Sequence, residues 1–433
     1  MEKKVLIITY YWPPSGGPGV QRVLHFVRHL SKYGWQPIVL TVENGEYPAL
    51  DPDLESLVPN HVAVIKTKTI EPFNWYKRLT GKKKNHKIDT YILSNKKASV
   101  RDNIMRWIRM NVFIPDARIG WYFYAVRAAR KIIKANDIDL IYSCSPPHTI
   151  QVIARKVAQK TGLPWVADFR DPWSSIVFYQ ENDRSKLTKS IDQRMEQGVL
   201  VNANKIITTC QGFKDALTTD FGLEQEKITV ITNGYNQDAV PKNNKSDDLV
   251  ITYAGNLSEV RMPETLLKCL GDLLQNDPKL PVQIHIAGNL CTLFEEEIDR
   301  LGLRSLLVKH GYITHEQVID LYSQSDLLLL VVDRVPDNHL FIAGKLFDYI
   351  GAKKPILAFG PPNGEVKEII NETDSGYYFS YENIDGTTNA LRKELKRKAQ
   401  NVPTDFTFSG RERYSREALT GKLASIFDQT LKS

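Results

Sequence analysis

The sequence predicts an α/β protein made of two doubly wound parallel sheets, and three observations carry that prediction. Short, continuously apolar runs, residues 5–8 and 327–332 among them, have strand length without polar alternation, the pattern of strands buried on both faces. Between such runs lie segments with apolar residues at helical spacing, as parallel crossovers require. The series runs to about residue 235, stops in a polar stretch, and starts again at Leu249.

Taken in order, residues 4–9 form the first strand and residues 10–19 a loop rich in Pro and Gly. A helix over 20–33 places Val20, Val23, Leu24, Val27 and Leu30 on one face, and Gly34 stops it. Residues 37–42 make the next strand. Helix 122–134, strand 139–143, helix 148–161, strand 165–168, helix 185–202 and strand 205–209 follow. Residues 236–248 include Pro241, Lys242, Asn243, Asn244 and Lys245 and read as a connecting segment. The second series comprises strands 249–254, 282–287, 306–309, 327–332 and 355–358, with helices 263–275, 292–301, 315–324 and 343–351 between them. The expected domains are 1–238 and 249–405, joined by a linker over 239–248, with a last helix at 412–432 packing back on the first domain. Sheets of this kind bind ligands outside the carboxyl ends of their strands, so a shared central cleft is expected.

Composition excludes several classes. With 42% hydrophobic and 25% charged residues the chain is not globally disordered. Cys144, Cys210, Cys269 and Cys291 form no C-x-x-C pair, so they read as small buried hydrophobes in a reducing compartment, with no metal site expected. No run reaches the roughly 18 apolar residues of a membrane span. Met1–Lys4 leads straight into a strand without a signal-peptide core. A cytoplasmic location is expected.

The net charge of +7 is unevenly spread. Residues 66–134 hold 18 Lys/Arg against four acids, which leaves 39 bases and 46 acids elsewhere. Trp75, Tyr76, Trp107, Trp121, Tyr122, Phe123 and Tyr124 are interleaved with those bases. Such a segment suits an anionic surface, and a peripheral position on the inner face of the cell membrane is the favoured reading. A solvated face with buried aromatics is the alternative. No nucleic-acid motif accompanies the charge, so nucleic acid is not an expected partner.

Three constellations carry chemistry. Ser15-Gly16-Gly17-Pro18-Gly19 lets backbone approach a ligand closely at a helix start, where an anion is favoured. It is not G-x-G-x-x-G, because Arg22 takes the place of the third glycine; Glu43 nevertheless keeps an NAD-dependent oxidoreductase open as an alternative. Asp168-Phe169-Arg170-Asp171-Pro172-Trp173 ends a strand, so either aspartate is a candidate proton acceptor and Trp173 a candidate sugar platform. His148 begins a helix at another strand end and is a third catalytic candidate, with a structural cap as the competing role.

Together these segments resemble the family 4 class of glycosyltransferases with the GT-B fold, two Rossmann-like domains facing a central cleft. Tyr10-Tyr11-Trp12-Pro13-Pro14-Ser15-Gly16-Gly17 is similar to the acceptor-side start of that class. Ile231-Thr232-Asn233-Gly234-Tyr235 resembles the end of its first domain, and Tyr253-Ala254-Gly255-Asn256-Leu257 the opening of its nucleotide half. Ile284-His285-Ile286-Ala287-Gly288, Gly311-Tyr312-Ile313 and Gly344-Lys345-Leu346-Phe347-Asp348-Tyr349 continue the match in order. The resemblance implies a nucleotide-sugar donor, a glycan or lipid-linked acceptor, retention of configuration and no metal or other cofactor. It implies donor contacts from Gly17, Gly255, Asn256, Arg261, Gly288, Lys345 and Asp348, and acceptor contacts from Gly16, Gly19 and Trp173. The family places two acids on the donor. Counted back from Pro355, the second is Asp348, whereas the first falls at Leu340 and is missing. A nucleotide-sugar epimerase of the same fold and a non-catalytic binding protein are further alternatives.

Overall fold

The computed structural model describes residues 2–70, 107–174, 184–236 and 246–432. Most of the basic segment, residues 71–106, and most of the expected linker, residues 237–245, lie outside them. The chain divides into two units, Met1–Thr232 with Leu419–Ser433, and Asn233–Ala418.

The first unit is built on β1 (Lys3–Ile8), β2 (Trp35–Val42), β3 (Ala63–Thr67), β4 (Leu140–Ser145), β5 (Trp165–Phe169), β6 (Lys205–Thr208) and β7 (Ile228–Val230). Their order in the sheet is β3-β2-β1-β4-β5-β6-β7, and every pairing is parallel. Ile7 pairs with Val39 on one side and Tyr142 on the other, so β1 is central and its apolar run over residues 5–8 follows. Helices α1 (Pro18–His29), α2 (Tyr122–Asn136), α3 (Thr149–Thr161), α4 (Lys186–Asn202) and α5 (Gln211–Phe221) make the crossovers.

Local chemistry sets the helix ends. Pro18 opens α1, where its missing N–H costs nothing, and α1 closes through a 3₁₀ turn, Leu30–Tyr33, onto Gly34 at φ +77°. The expected helix 20–33 is therefore an α-helix plus a tighter turn. Ser185 caps α4 by accepting from the Thr188 N–H at 3.1 Å.

The second unit carries β8 (Leu249–Ala254), β9 (Val282–Ala287), β10 (Leu307–Gly311), β11 (Leu327–Val331), β12 (Ile356–Gly360) and β13 (Gly376–Ser380). They lie in the parallel order β10-β9-β8-β11-β12-β13. Its helices are α6 (Glu264–Asn276), α7 (Thr292–Arg300), α8 (His315–Ser323), α9 (Lys345–Ala352), α10 (Glu365–Glu372) and α11 (Ile384–Ala399). A capping box between Thr314 and Gln317 starts α8.

The last helix, α12 (Arg416–Lys432), begins after a 3₁₀ turn at Arg411–Tyr414, because Ser415 is extended and breaks the continuous helix expected from 412. From Leu419 onward it belongs to the first unit, where Leu423 and Phe427 join the core formed by Val5, Trp35 and Tyr142. The Phe427 ring stands edge-on to Trp35 at 5.2 Å and to Tyr142 at 5.6 Å. Asp428 accepts from the Trp35 indole at 3.0 Å. Replacing Phe427 with Ala leaves a cavity against two aromatic rings, and we expect a loss of about 3–5 kcal/mol. Urea unfolding followed by tryptophan fluorescence measures it; an unchanged midpoint would contradict this packing.

Candidate active site

In each sheet the strand order reverses once, between β1 and β4 and between β8 and β11, and the loops leaving those strands line the crevice where such sheets take ligands. Gly16, Gly17, His148, Gly255, Asn256 and Arg261 fall on these loops, whereas Asp168 lies in β5, Asp171 and Trp173 follow it, and Gly288 follows β9.

In the second unit, β8 ends at Gly255, φ +130°, and β9 at Gly288, φ +115°. A Cβ on Gly288 would lie 2.3 Å from the Gly255 carbonyl oxygen, so the two strand ends meet backbone to backbone. Lys345, the first residue of α9, extends back toward β8. Its Nζ stands 3.8 Å from the centroid of the Tyr253 ring, and a Cβ on Gly255 would come within 2.6 Å of it. Burial, with the nearby Arg261 charge, pushes the Lys345 ammonium down to about 7, against the opposing pull of Asp333 and Asp348. Arg261 spans the crevice: Nε and Nη2 both donate to the Asp333 carboxylate, the second at 2.8 Å, while Tyr253 and Arg261 Nη1 donate to the Asn256 carbonyl at 3.0 and 3.4 Å. Asp348 lies half-buried one turn along α9, and Leu340 is buried.

In the first unit, the loop after β1 is held by the Gly16 N–H on the Ala49 carbonyl at 2.9 Å and the Asp51 N–H on Pro14 at 2.8 Å. Gly17 has φ +97°. A Cβ on Gly19 would clash with Arg170 Nη1, so the first turn of α1 and the loop after β5 touch there. Arg170 pairs with Asp171 at 2.9 Å. Asp168 is fully buried and accepts from Arg22 Nε at 2.8 Å, Arg22 Nη2 at 3.2 Å and the Tyr142 hydroxyl at 2.5 Å. Arg22 also donates to the Thr232 and Ile231 carbonyls. The His148 ring is buried and stacks on Trp173, 4.8 Å away and 12° from parallel. Burial drives its pKa down to about 4, so the imidazole is neutral near pH 7. Its Nδ1 is buried with no hydrogen-bond partner among the described residues.

Residues 81–239 match the family Glycosyltransferase Family 4, and residues 236–413 match Glycosyl transferases group 1. The chain belongs to the family 4-like glycosyltransferases. Among solved structures, it is similar to sucrose-phosphate synthase from Thermosynechococcus elongatus at TM-score 0.64 and 14% identity, with 99% of each chain covered. It is similar also to HepE from Anabaena in complex with UDP and glucose, at TM-score 0.59 and 15% identity, covering 98% of this chain and 99% of the other. These likenesses establish the GT-B fold. A curated relative, mannosylfructose-phosphate synthase of Agrobacterium fabrum, is 20% identical over 250 residues, which are 53% of this chain. The match spans about half of that relative's length, 51%.

For this glycosyltransferase the geometry revises several expectations. Asp168 is no proton acceptor for a substrate, since it is enclosed and both oxygens serve Arg22 and Tyr142. Trp173 is no open sugar platform: its ring is buried on His148 and its indole N–H donates to Asp192 at 2.8 Å. Arg261 is not a free cation, because Asp333 takes two of its nitrogens. His148 sits at the start of α3 without capping it through its side chain; Asp116 does that work, accepting from the Thr149 N–H and hydroxyl, each at 2.9 Å. Asp171 is the more open carboxylate, with 36% of its side chain exposed. Sequence reasoning missed Arg22 and Asp333 as site residues, whereas an internal Asp–Arg pair shaping the loop after β5 was the competing reading there, and Arg170 with Asp171 forms it. Arg22 lies on the side of α1 away from Val20, Val23, Leu24 and Val27, so the apolar periodicity carried no signal for it.

Lys345 has a measurable signature. Its folded pKa lies below the ordinary value of about 10.4, so between the two the unfolded chain binds more protons and stability rises with pH. We expect Lys345→Met to raise the melting temperature of the nucleotide-free protein at pH 7 and to flatten the rise toward pH 9. Fluorimetric melts across that range check it, and an unchanged slope in the variant would rule out a titrating Lys345.

Proposed function

We propose that this glycosyltransferase moves a hexosyl group from a nucleotide-sugar donor to a hydroxyl of a glycan or lipid-linked acceptor, with retention at the anomeric carbon. The observation that carries the reading is the desolvated Lys345 ammonium beside Gly255 at the β8/β11 crevice. A diphosphate arriving there adds to the counter-charge of Asp333 and Asp348, and binding it holds Lys345 protonated. The HepE structure, with its UDP and glucose, supports the donor class.

In the proposed step the bond between the anomeric carbon and the diphosphate oxygen breaks, with its electron pair going to the diphosphate. The acceptor hydroxyl oxygen forms the new bond and loses its proton. Lys345 and the backbone around Gly255 and Gly288 stabilise the departing charge. Asp168 is occupied by Arg22, and Asp171 is paired with Arg170, so the departing diphosphate oxygen is the proposed proton acceptor. With Leu340 in place of the first donor acid, backbone groups, Asn338 and His339 are the proposed contacts to the sugar. The charge is handled without a metal in this proposal, and a cytoplasmic, membrane-peripheral location suits a lipid-linked acceptor.

The buried Leu340 favours a second reading, nucleotide binding without turnover. Melting the protein with UDP-, GDP-, ADP- and CMP-sugars separates these. The matching donor at about 100 times its Kd stabilises by about 2.7 kcal/mol. Lys345→Ala abolishes that shift, and a shift surviving in the variant would remove the phosphate assignment. Release of free nucleotide only when an acceptor glycan is added establishes transfer, and its absence with every donor that binds favours the second reading. Turnover unchanged by EDTA is expected; loss restored by a divalent cation would overturn metal-independent transfer.

A further inference from the structure

We propose that the groove between α2 and α3 is the surface by which this protein lies on an anionic bilayer. The inference deepens the lipid-linked acceptor reading and rests on it for its purpose, while its physical support is independent. The 28 residues of α2 and α3 hold seven Lys/Arg and no Asp or Glu. Six of those cations, Arg127, Arg130, Lys131, Lys134, Lys156 and Lys160, line one open groove of about 440 Å³. They recur at spacings of three and four residues, which puts like charges side by side and costs the isolated helices stability.

In the second unit the exposed Arg300, Arg304 and Lys309 pair with Glu297, Asp299 and Glu295. Among the described residues, none of the six groove cations has an ion-pair partner. The segment that precedes them, residues 71–106, carries ten bases against three acids, so its sequence adds positive charge rather than compensating it.

The aromatic residues complete the argument. Phe123 is 78% exposed at the start of α2 and meets Tyr122 edge to face at 5.2 Å; Tyr124 beside it is 40% exposed. From Phe123 to Lys134 the helix runs about 17 Å. An apolar ring at one end and a row of unpaired cations along the rest fit a planar array of lipid phosphates, with the ring at the headgroup boundary. A single small anion would leave most of the row uncompensated.

Co-sedimentation of the full chain with phosphatidylcholine vesicles, with and without about a third phosphatidylglycerol, tests this. Binding should require the anionic lipid and weaken with added salt. The triple variant Arg130→Gln, Lys131→Gln, Lys134→Gln should lose about 100-fold in partitioning. Phe123→Ser should weaken binding while leaving its salt dependence intact. Melting curves equal to wild type confirm that the variants fold, and an Arg130→Lys variant should bind like the parent. Wild-type partitioning by the triple variant overturns the proposal, as does equal binding to neutral vesicles. Release by inorganic phosphate, but not by chloride of equal ionic strength, would overturn it for a small phosphate site. Tighter retention on a single-stranded RNA than on the vesicles would overturn it for a nucleic-acid surface. A lost donor-induced melting shift with vesicle binding intact would remove the transferase reading alone.

Discussion

The buried contact of Arg22 with Asp168 organises the first unit. An ion pair away from water carries a heavy desolvation penalty unless every nitrogen and oxygen is satisfied, and removing one partner typically costs about 3–5 kcal/mol. Here Arg22 uses all three guanidinium nitrogens, on Asp168 and on the Ile231 and Thr232 carbonyls, while Tyr142 adds a hydroxyl to the same carboxylate. One side chain thereby ties α1, β5 and the end of the unit's chain segment together. The loop bearing Gly16 and Gly17 leads directly into α1, whose first turn holds Gly19, and Arg170 and Trp173 follow Asp168 by a few residues. Their positions depend on that buried anchor, and so does the stack of His148 on Trp173.

The second unit solves a related problem differently. Arg261 and Asp333 neutralise one another across the crevice, which leaves Lys345 as the group whose charge is poorly supported. A cation kept desolvated before its ligand arrives needs little reorganisation when the ligand does, and that is how a preorganised site gains over water. Gly255 contributes by absence: any side chain there would displace the ammonium.

Much of the architecture was legible because strands buried on both faces are largely apolar, as β8, β11 and β12 are. The strands overlooked, β3, β7 and β13, all lie at sheet edges, where exposure is mixed and no such run is needed. Asp348 was singled out through the family resemblance, and helical spacing put Lys345 on the same face of one element. Asp168 and Trp173 were not, because their partners Arg22 and Asp192 lie on other helices, and nothing local announces that a carboxylate or an indole is already occupied. Arg22 itself was noticed only as a glycine that failed to appear. The same residue excludes the tight dinucleotide turn and builds the buried anchor.

The return of α12 to the first unit has a consequence for how the protein is made. Phe427 fills the space between Trp35 and Tyr142, yet it is synthesised after the whole second unit. At ordinary elongation rates the ribosome needs roughly 10–40 s to travel from Thr232 to that residue. By the end of this interval all the strands of the second unit have been made, while the earlier-made unit has waited throughout with an aromatic-lined gap open. The half synthesised first is therefore the half completed last, and a chaperone that shields apolar surface would find its target there.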